Sequence, residues 1–338
     1  MAVFITGGAG YIGSHTVLRF LEVGIEVVVL DNLCNSSQEA LRRVEKLSGK
    51  SVRFYFGDVR DMSLLDLVFT ENDICDVIHF AGLKSVDQSI INPLDYYNNN
   101  IIGGLNLLCQ MQKHNIKNFV FSSSATVYGQ PEIIPLTEDC KVGGTTNAYG
   151  SSKLMFETIL RDFSNANPDF HITILRYFNP VGAHPSGLIG ENPNGVPNNL
   201  VPYITQVAIG KLDFLSIYGN DYPTVDGTGV RDFIHVMDLA QGHLAAVEYK
   251  STGPAYKVYN LGTGKGYSVL ELISAFECTN GIKLKYKFAP RRPGDIGECW
   301  SDPSRAKEEL CWSARYSIEE MMQHTWNWQV NNPNGYTD

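Results

Sequence analysis

Across 338 residues, 36 Asp and Glu set against 27 Lys and Arg leave a formal charge of −9, with 43% hydrophobic and 19% charged side chains. A chain of this length suggests about two domains, and its composition is that of a globular protein, not a disordered or membrane-embedded one. An acidic chain without a Lys/Arg block lacks the footprint of a nucleic-acid binder, although a small polyanion held by a few local arginines remains compatible with it. The seven cysteines include no Cys-x-x-Cys pair, and the eight histidines form no ligand pair at helical spacing. Neither a disulfide framework nor a metal site is expected. No secretory signal and no run near the ~20 apolar residues of a membrane span is present, so the expected setting is cytoplasmic.

The first half alternates short β-branched runs with longer helical patterns. Strands are expected at 3–6, 26–30, 52–56, 77–80, 119–122 and 172–177, with helices near 12–23, 38–47, 95–114 and 149–165. Runs such as Val27-Val28-Val29-Leu30, apolar at successive positions, suit strands buried on both faces. The alternation predicts an α/β fold with a doubly wound parallel sheet. After Tyr177 the texture changes. Residues 180–202 hold prolines at 180, 185, 193, 197 and 202 and glycines at 182, 187, 190 and 195. So long an irregular stretch, with Asn179, Asn192, Asn194, Asn198 and Asn199, favours a binding loop. The tryptophans (300, 312, 326, 328) all lie near the end of the chain and are expected to build the core and rim of a smaller C-terminal domain. The division is placed at 1–180 and 181–338.

The first strand runs into Thr6-Gly7-Gly8-Ala9-Gly10-Tyr11-Ile12-Gly13. Glycines at 7, 10 and 13 let the backbone approach a pyrophosphate while the following helix offers free N–H groups and its positive end. Asp31 closes the second strand, where a carboxylate accepts adenine-ribose hydroxyls and repels a 2′-phosphate, which selects NAD over NADP. Asp58 and Val59 are placed for the adenine edge. Phe80-Ala81-Gly82 closes the fourth strand, with small residues that allow close approach to the cofactor, and Lys84 just beyond is placed for a phosphate or ribose.

Tyr149 and Lys153 stand at i and i+4, side by side on one helix face. A phenol titrates near 10, and acting as a base near pH 7 requires about 4 kcal/mol of stabilisation of the phenolate. Lys153 and a positively charged nicotinamide are two cations able to supply it. The hydroxyl run Ser122-Ser123-Ser124 ends the fifth strand. Together, the glycine turn, Ser124, Tyr149 and Lys153 resemble the extended branch of the short-chain dehydrogenase/reductase superfamily. More closely, the stretches Phe121 to Gly129, Leu175 to His184 and Gly227 to Val236 resemble UDP-glucose 4-epimerases (UDP-galactose 4-epimerases), and the likeness runs from Ala2 to about Gly335.

The resemblance implies a Rossmann domain and a smaller mixed α/β domain for a UDP-sugar, with later chain crossing back into the first. It implies tightly bound NAD that is not consumed, with Tyr149 as the base toward the sugar 4-hydroxyl. Ser124 would bond the same oxygen and Lys153 the nicotinamide ribose. Further cofactor contacts are implied at Tyr11, Ile12, Asn32, Cys34, Asn35, Ser36, Asn99 and Phe178. Arg231 and Arg292 suit the diphosphate, because guanidinium forks match phosphate oxygens. The resemblance adds Asn179, Asn199 and Leu200 for diphosphate and sugar, Tyr218 for uracil, and Asp295 for the uridine ribose.

At Cys299 the family members restricted to unsubstituted hexoses carry a tyrosine. A thiol opens space for an acetamido group, so the UDP-N-acetylglucosamine and UDP-N-acetylgalactosamine pair is expected as well as UDP-glucose and UDP-galactose. A 4,6-dehydratase would need Asp-Glu where Ala125-Thr126 stands, and a net dehydrogenase leaves the nucleotide pattern without purpose. A noncatalytic NAD sensor would be expected to have lost Tyr149 or Lys153. A homodimer through helices near 95–114 and 149–165 is implied by the same resemblance.

Overall fold

The computed structural model describes residues 1–192, 195, 197, 199–249, 255–292 and 294–336. Asn194 and Asn198 of the expected binding loop, along with Pro193, lie outside the described residues. The chain opens with β1 (Ala2–Thr6), α1 (Tyr11–Glu22), β2 (Glu26–Asp31), α2 (Gln38–Ser48), β3 (Arg53–Phe56), α3 (Met62–Glu71) and β4 (Ile74–His79). After α4 (Val86–Ile91) and α5 (Pro93–Tyr97), a π-helical turn at Asn98–Ile102 leads into α6 (Gly103–Lys113). Then follow β5 (Asn118–Ser124), a 3-10 turn (Ala125–Tyr128), α7 (Ala148–Ala166) and β6 (His171–Tyr177).

Helices α3 and α4 and the interruption of the long helix after α5 depart from the sequence expectation in the first half. Helix α3 was not anticipated, although Asp61 caps it by accepting from the amides of Ser63 and Leu64, a signal present in the sequence. The expected continuous helix 95–114 is interrupted by the π turn. There Asn100 is buried, its side chain bonding both backbone groups of Leu83 and the Ser152 hydroxyl. A run of three asparagines in helical register reads as solvated surface, and only tertiary contact turns one of them inward.

The second half contains β7 (Asn179–Val181), α8 (Leu200–Ala208), β8 (Leu215–Tyr218), β9 (Val230–His235), α9 (Val236–Glu248) and β10 (Tyr256–Leu261). It finishes with β11 (Gly266–Ser268), α10 (Val269–Asn280), β12 (Tyr286–Ala289), β13 (Glu298–Cys299), α11 (Ser304–Glu309) and α12 (Ile318–Asn331). The central sheet has seven strands in the order β10-β6-β5-β4-β1-β2-β3, every pairing parallel. Its topological switch lies between β1 and β4, where the crevice at the strands' carboxyl ends takes ligands in open α/β sheets. One apolar cluster packs α1 and α9 under one face, and a second packs Leu65, Leu107 and Phe156 against the other. A third cluster joins α8, α10 and α12 to β8 and β9. No helix among the described residues is long and apolar enough to cross a membrane.

The tryptophans divide between these cores and do not all serve the C-terminal unit. Trp312 is 2% exposed in the cluster under the large sheet, its indole donating to the Asp238 carbonyl at 2.9 Å. Trp328 packs against Tyr336, with the Arg43 guanidinium of α2 5.9 Å from its ring. Trp326 meets Phe276 in the third cluster. The division follows from the chain crossing back through α9 and β10, which brings late residues beneath the first sheet.

Helix α7 is pinned to the sheet by a buried ion pair. Arg176 of β6 grips Glu157 of α7 with two bonds, of 3.1 and 2.6 Å, with both side chains at most 5% exposed. The same guanidinium donates to the Tyr128 hydroxyl, which donates to Asn260 of β10. A charge buried this way must keep its partner. Arg176→Met leaves Glu157 uncompensated and is expected to lower unfolding stability by about 3–5 kcal/mol, measured as a fall in the urea midpoint.

Candidate active site

A cavity of about 1540 Å³ opens at the carboxyl ends of the parallel strands and runs on between them and α8, β8 and β9. Single-ligand pockets span about 300–1,000 Å³, so this one is large enough for two small nucleotides. Among the described residues, every one named from the sequence for the cofactor, the chemistry or the substrate lines it except Asp58.

At one end, the Gly7–Gly13 turn is shaped by close backbone contact. A Cβ on Gly13 would stand 2.3 Å from the Gly7 carbonyl oxygen, and one on Gly7, at φ +72°, 2.7 Å from the Ala81 amide nitrogen. Only glycine fits at these two places. Gly10 caps α1 with no side-chain bond, and the first turn carries no acidic residue, so the positive end of the helix faces the cavity unneutralised. Asp31 accepts from the Ala9 amide at 3.0 Å and from the Leu33 amide and Ser36 hydroxyl at 2.9 and 2.8 Å. A carboxylate offers about four acceptor sites, which leaves capacity for a ribose hydroxyl. Asn32, Cys34, Asn35 and Ser36 follow along the same wall, with Val59, Phe80, Ala81, Gly82, Lys84, Asn99 and Phe178 around it. The open helix end, the cradle that admits only glycine and the carboxylate at the end of β2 fit a dinucleotide such as NAD.

Asp58 is the exception. Its carboxylate takes a fork from Arg60, with bonds of 2.8 and 2.8 Å, and a 3.0 Å bond from the Asn32 amide. The Arg60 guanidinium holds it well below the usual carboxylate range. Gly57 and Val59 on either side line the cavity in its place. From the sequence, a neighbouring Arg two residues on carries no sign of which groups it will occupy.

In the middle of the cavity, Asn147 caps α7 by accepting from the Gly150 amide, which orients the helix start toward the sheet. The Ser124 hydroxyl lies near enough to the Tyr149 phenol to favour its ionised form, and the Lys153 ammonium lies 6.0 Å from the centre of the phenol ring. Lys153 donates to the Ser122 carbonyl at 2.7 Å and sits 4.8 Å over the Phe121 ring. Burial raises the Tyr149 pKa above 10 and lowers that of Lys153 to about 8. Expulsion of water therefore disfavours both charged forms, and a fixed positive charge beside Tyr149 would act in the opposite direction on the phenol. His15 and His79 are packed in the interior. Their Nδ1 atoms meet the Tyr11 carbonyl and the Thr6 hydroxyl at 2.7 Å each, and burial takes both pKa values down to about 3.

The far wall carries Asn179, Asn199, Leu200, Tyr218, Arg231, Arg292, Asp295 and Cys299. Arg231 donates to the carbonyls of Val230, Ile296 and Gly297, which ties β9 to the loop before β13. Its fork is thus partly committed to the protein. Arg292 lies 3.9 Å over the face of Tyr218, an arrangement the sequence did not suggest. Arg291 pairs with Asp221 at 2.7 Å and covers Tyr222. Cys299 is 9% exposed among Val127, Tyr128, Leu136 and Phe178, and burial pushes its thiol up to about 11. Sequence reasoning missed Thr126 as a wall residue, although it sits in the hydroxyl-rich turn after Ser124. Its Oγ1 is buried without a protein partner among the described residues. It also missed Glu191 and Tyr222, for which no local pattern gives a signal.

A parallel sheet with a glycine turn at its first strand, a phenol and an ammonium one helical turn apart, and a hydroxyl at the end of β5 defines an enzyme of the extended short-chain dehydrogenase/reductase superfamily. Residues 3–262 match the NAD dependent epimerase/dehydratase family. The chain is 62% identical over 338 residues to the UDP-glucose 4-epimerase of Pasteurella multocida, with all of both chains covered. Among solved structures, the Bifidobacterium longum UDP-glucose 4-epimerase, in complex with NAD+ and UDP, superimposes with a TM-score of 0.96 at 54% identity, covering 99% of this chain and 100% of that one. The Campylobacter jejuni UDP-Glc/GlcNAc 4-epimerase superimposes with a TM-score of 0.85 at 37% identity, over 98% and 99% of the two chains. The chain belongs to the NAD dependent epimerase/dehydratase family and, within it, to the UDP-glucose 4-epimerase family.

Proposed function

We propose that this chain is an NAD-dependent UDP-hexose 4-epimerase that interconverts UDP-glucose with UDP-galactose, and UDP-N-acetylglucosamine with UDP-N-acetylgalactosamine. The observation that carries the reading is the convergence of a dinucleotide cradle, the Ser124–Tyr149–Lys153 group and an arginine-bearing wall on one cavity. Residues of the first half, from Gly7 to Phe178, hold NAD. The UDP-sugar lies against the wall of α8, β8, β9 and β13. Arg231, Arg292 and the start of α8 at Asn199 and Leu200 hold the diphosphate, Asp295 the ribose, and Tyr218, backed by Arg292, the uracil.

NAD held in this cradle supplies a reversible two-electron acceptor and the positive charge of its ring, and because it ends each turnover as it began it stays bound. Tyr149 takes the proton of the sugar 4-hydroxyl, and Ser124, beside the phenol, steadies the same oxygen. Lys153, fixed by the Ser122 carbonyl, keeps an ammonium beside the phenolate below its pKa of about 8. Asn179 and the diphosphate-binding arginines let the 4-keto sugar turn over without leaving. Once the sugar has turned so that the opposite face of C4 meets the cofactor's side of the cavity, Tyr149 returns the proton to the same oxygen.

Cys299 sets the width of the sugar pocket. A thiol fills less space than a phenol, so steric exclusion at C2 is relieved. The exposed apolar side chains of Ile102 and Met155, 43% and 47% exposed on the π turn and α7, support self-association through that side of the molecule.

Incubated without added NAD, the purified protein is expected to convert UDP-glucose to UDP-galactose, followed by the anomeric proton signals. Bound NAD without turnover would instead indicate a sensor. Tyr149→Phe is expected to lower kcat by about 10²–10⁴-fold while leaving bound NAD in place. Cys299→Tyr is expected to cut turnover of the N-acetylated pair by about 10–200-fold and keep that of UDP-glucose within about threefold. Intact N-acetylated turnover in this variant would refute the pocket argument. In sedimentation, the protein should run at twice its 37.5 kDa chain mass, and Met155→Glu should shift it toward the monomer.

A further inference from the structure

Glu191 places a carboxylate in the wall of a cavity read as a site for two diphosphates. Its side chain is 12% exposed, and an anion there opposes both ligands unless it does something else. Among the described residues two side chains donate to it, with the Tyr11 phenol also close enough to feel its charge. Asn199 donates its Nδ2 to Glu191 Oε1 at 2.9 Å, and the Lys84 ammonium approaches the same oxygen at 3.4 Å. The backbone at 187–191 is held from behind. Trp328 donates its indole N–H to the Glu191 carbonyl at 3.1 Å, Gly190 donates to the Tyr336 hydroxyl at 3.2 Å, and Asn332 donates to the Gly187 carbonyl at 2.8 Å. The carboxylate thus projects from a fixed support.

Asn199 is the N-cap residue of α8, with the extended backbone (φ −103°, ψ 154°) that a cap requires, yet its side chain makes no cap hydrogen bond. Asparagine is among the best capping residues because its oxygen accepts from the N–H groups of the first turn. Here a carboxylate acceptor dictates the amide orientation, with the NH₂ end turned to Glu191. Leu200 and Val201, the first two helical residues, line the cavity, and the first turn contains no acidic side chain. Pro202 has no N–H to offer. The first-turn amides of α8 and the positive end of its dipole are therefore left uncapped by the Asn199 side chain, the group best placed among the described residues to cover them.

We propose that Glu191 is a positioning residue for the sugar nucleotide: it draws the Asn199 amide off the start of α8 and so leaves that helix end open to the substrate's diphosphate. Lys84, on the cofactor wall, balances the charge that this requires. The inference rests on the UDP-sugar reading above. Without Glu191, Asn199 turns to cap its own helix, which stabilises α8 and competes with the phosphate oxygens.

UDP binding by calorimetry, steady-state kinetics with UDP-glucose and thermal melting on the NAD-bound protein test this. Glu191→Ala is expected to raise the UDP Kd and the UDP-glucose KM about tenfold, to keep kcat within about threefold, and to leave Tm equal or higher. Glu191→Gln retains an acceptor for Asn199 and is expected to restore Kd and KM to within about twofold of the parent. A UDP Kd unchanged in Glu191→Ala overturns the inference, as does a glutamine variant as weak as the alanine one. A fall in Tm with a parallel fall in kcat also overturns it, because that is the signature of a merely structural carboxylate. A parent protein that binds no UDP would remove the sugar-nucleotide reading itself, before any variant is compared.

Discussion

Helix α7 carries Tyr149, Lys153 and Glu157 at successive four-residue steps, and the grip of Arg176 on Glu157 sets how far along the sheet that column stands. A helix rises about 1.5 Å per residue, so a slip of one residue would carry the phenol well out of hydrogen-bond reach of Ser124. Ser123, next to Ser124 on β5, donates to the same carboxylate, so strand and helix share one fixed point. Tyr128 and Asn260 extend the network to the 3-10 turn and to β10. The edge strand that returns late in the chain is thereby tied to the residues that face the cavity. Buried polar groups joined this way hold one arrangement firmly, because an unpaired member in low dielectric is costly.

The same exclusion of water governs the chemistry. It brings the pKa of Lys153 down to about 8 and lifts that of Tyr149, so neither group is at ease charged in the protein alone. A bound cationic ring would shift that balance in favour of the phenolate, so that in the proposed reaction Tyr149 becomes a base only with the cofactor in place. Across the cavity, Arg231 is held by three carbonyls and Arg292 by the face of Tyr218. Guanidinium groups fixed in advance lose less freedom on meeting a diphosphate than mobile ones would.

Loop 182–191 shows how a segment rich in proline and glycine acquires a definite shape. Its donors and acceptors are answered by α12 and the tail, through Asn327, Trp328, Asn332 and Tyr336. Arg43 of α2 closes the arrangement from the first half, donating to the Leu188 carbonyl and lying 5.1 Å over the Tyr336 ring. The last turns of the chain thus hold part of the cavity wall, although they lie far from it in sequence.

The amino-acid order by itself determined the features that depend on local geometry. Apolar runs gave six of the seven strands of the parallel sheet, all but β10, the glycines at 7, 10 and 13 gave its first turn, and the i, i+4 spacing of Tyr149 and Lys153 placed both on one face. These are readable because backbone sterics and helical period act within a few residues. Tertiary structure alone decided which distant groups meet. It gave Asp58 to Arg60 and Asn32 and so took it off the cavity wall, sent Trp312 beneath the large sheet, turned Asn100 inward at a π turn, and set Asn199 against Glu191. The reason is that one arginine or amide can satisfy many partners, and spacing along the chain does not say which of them folding will bring within 3 Å.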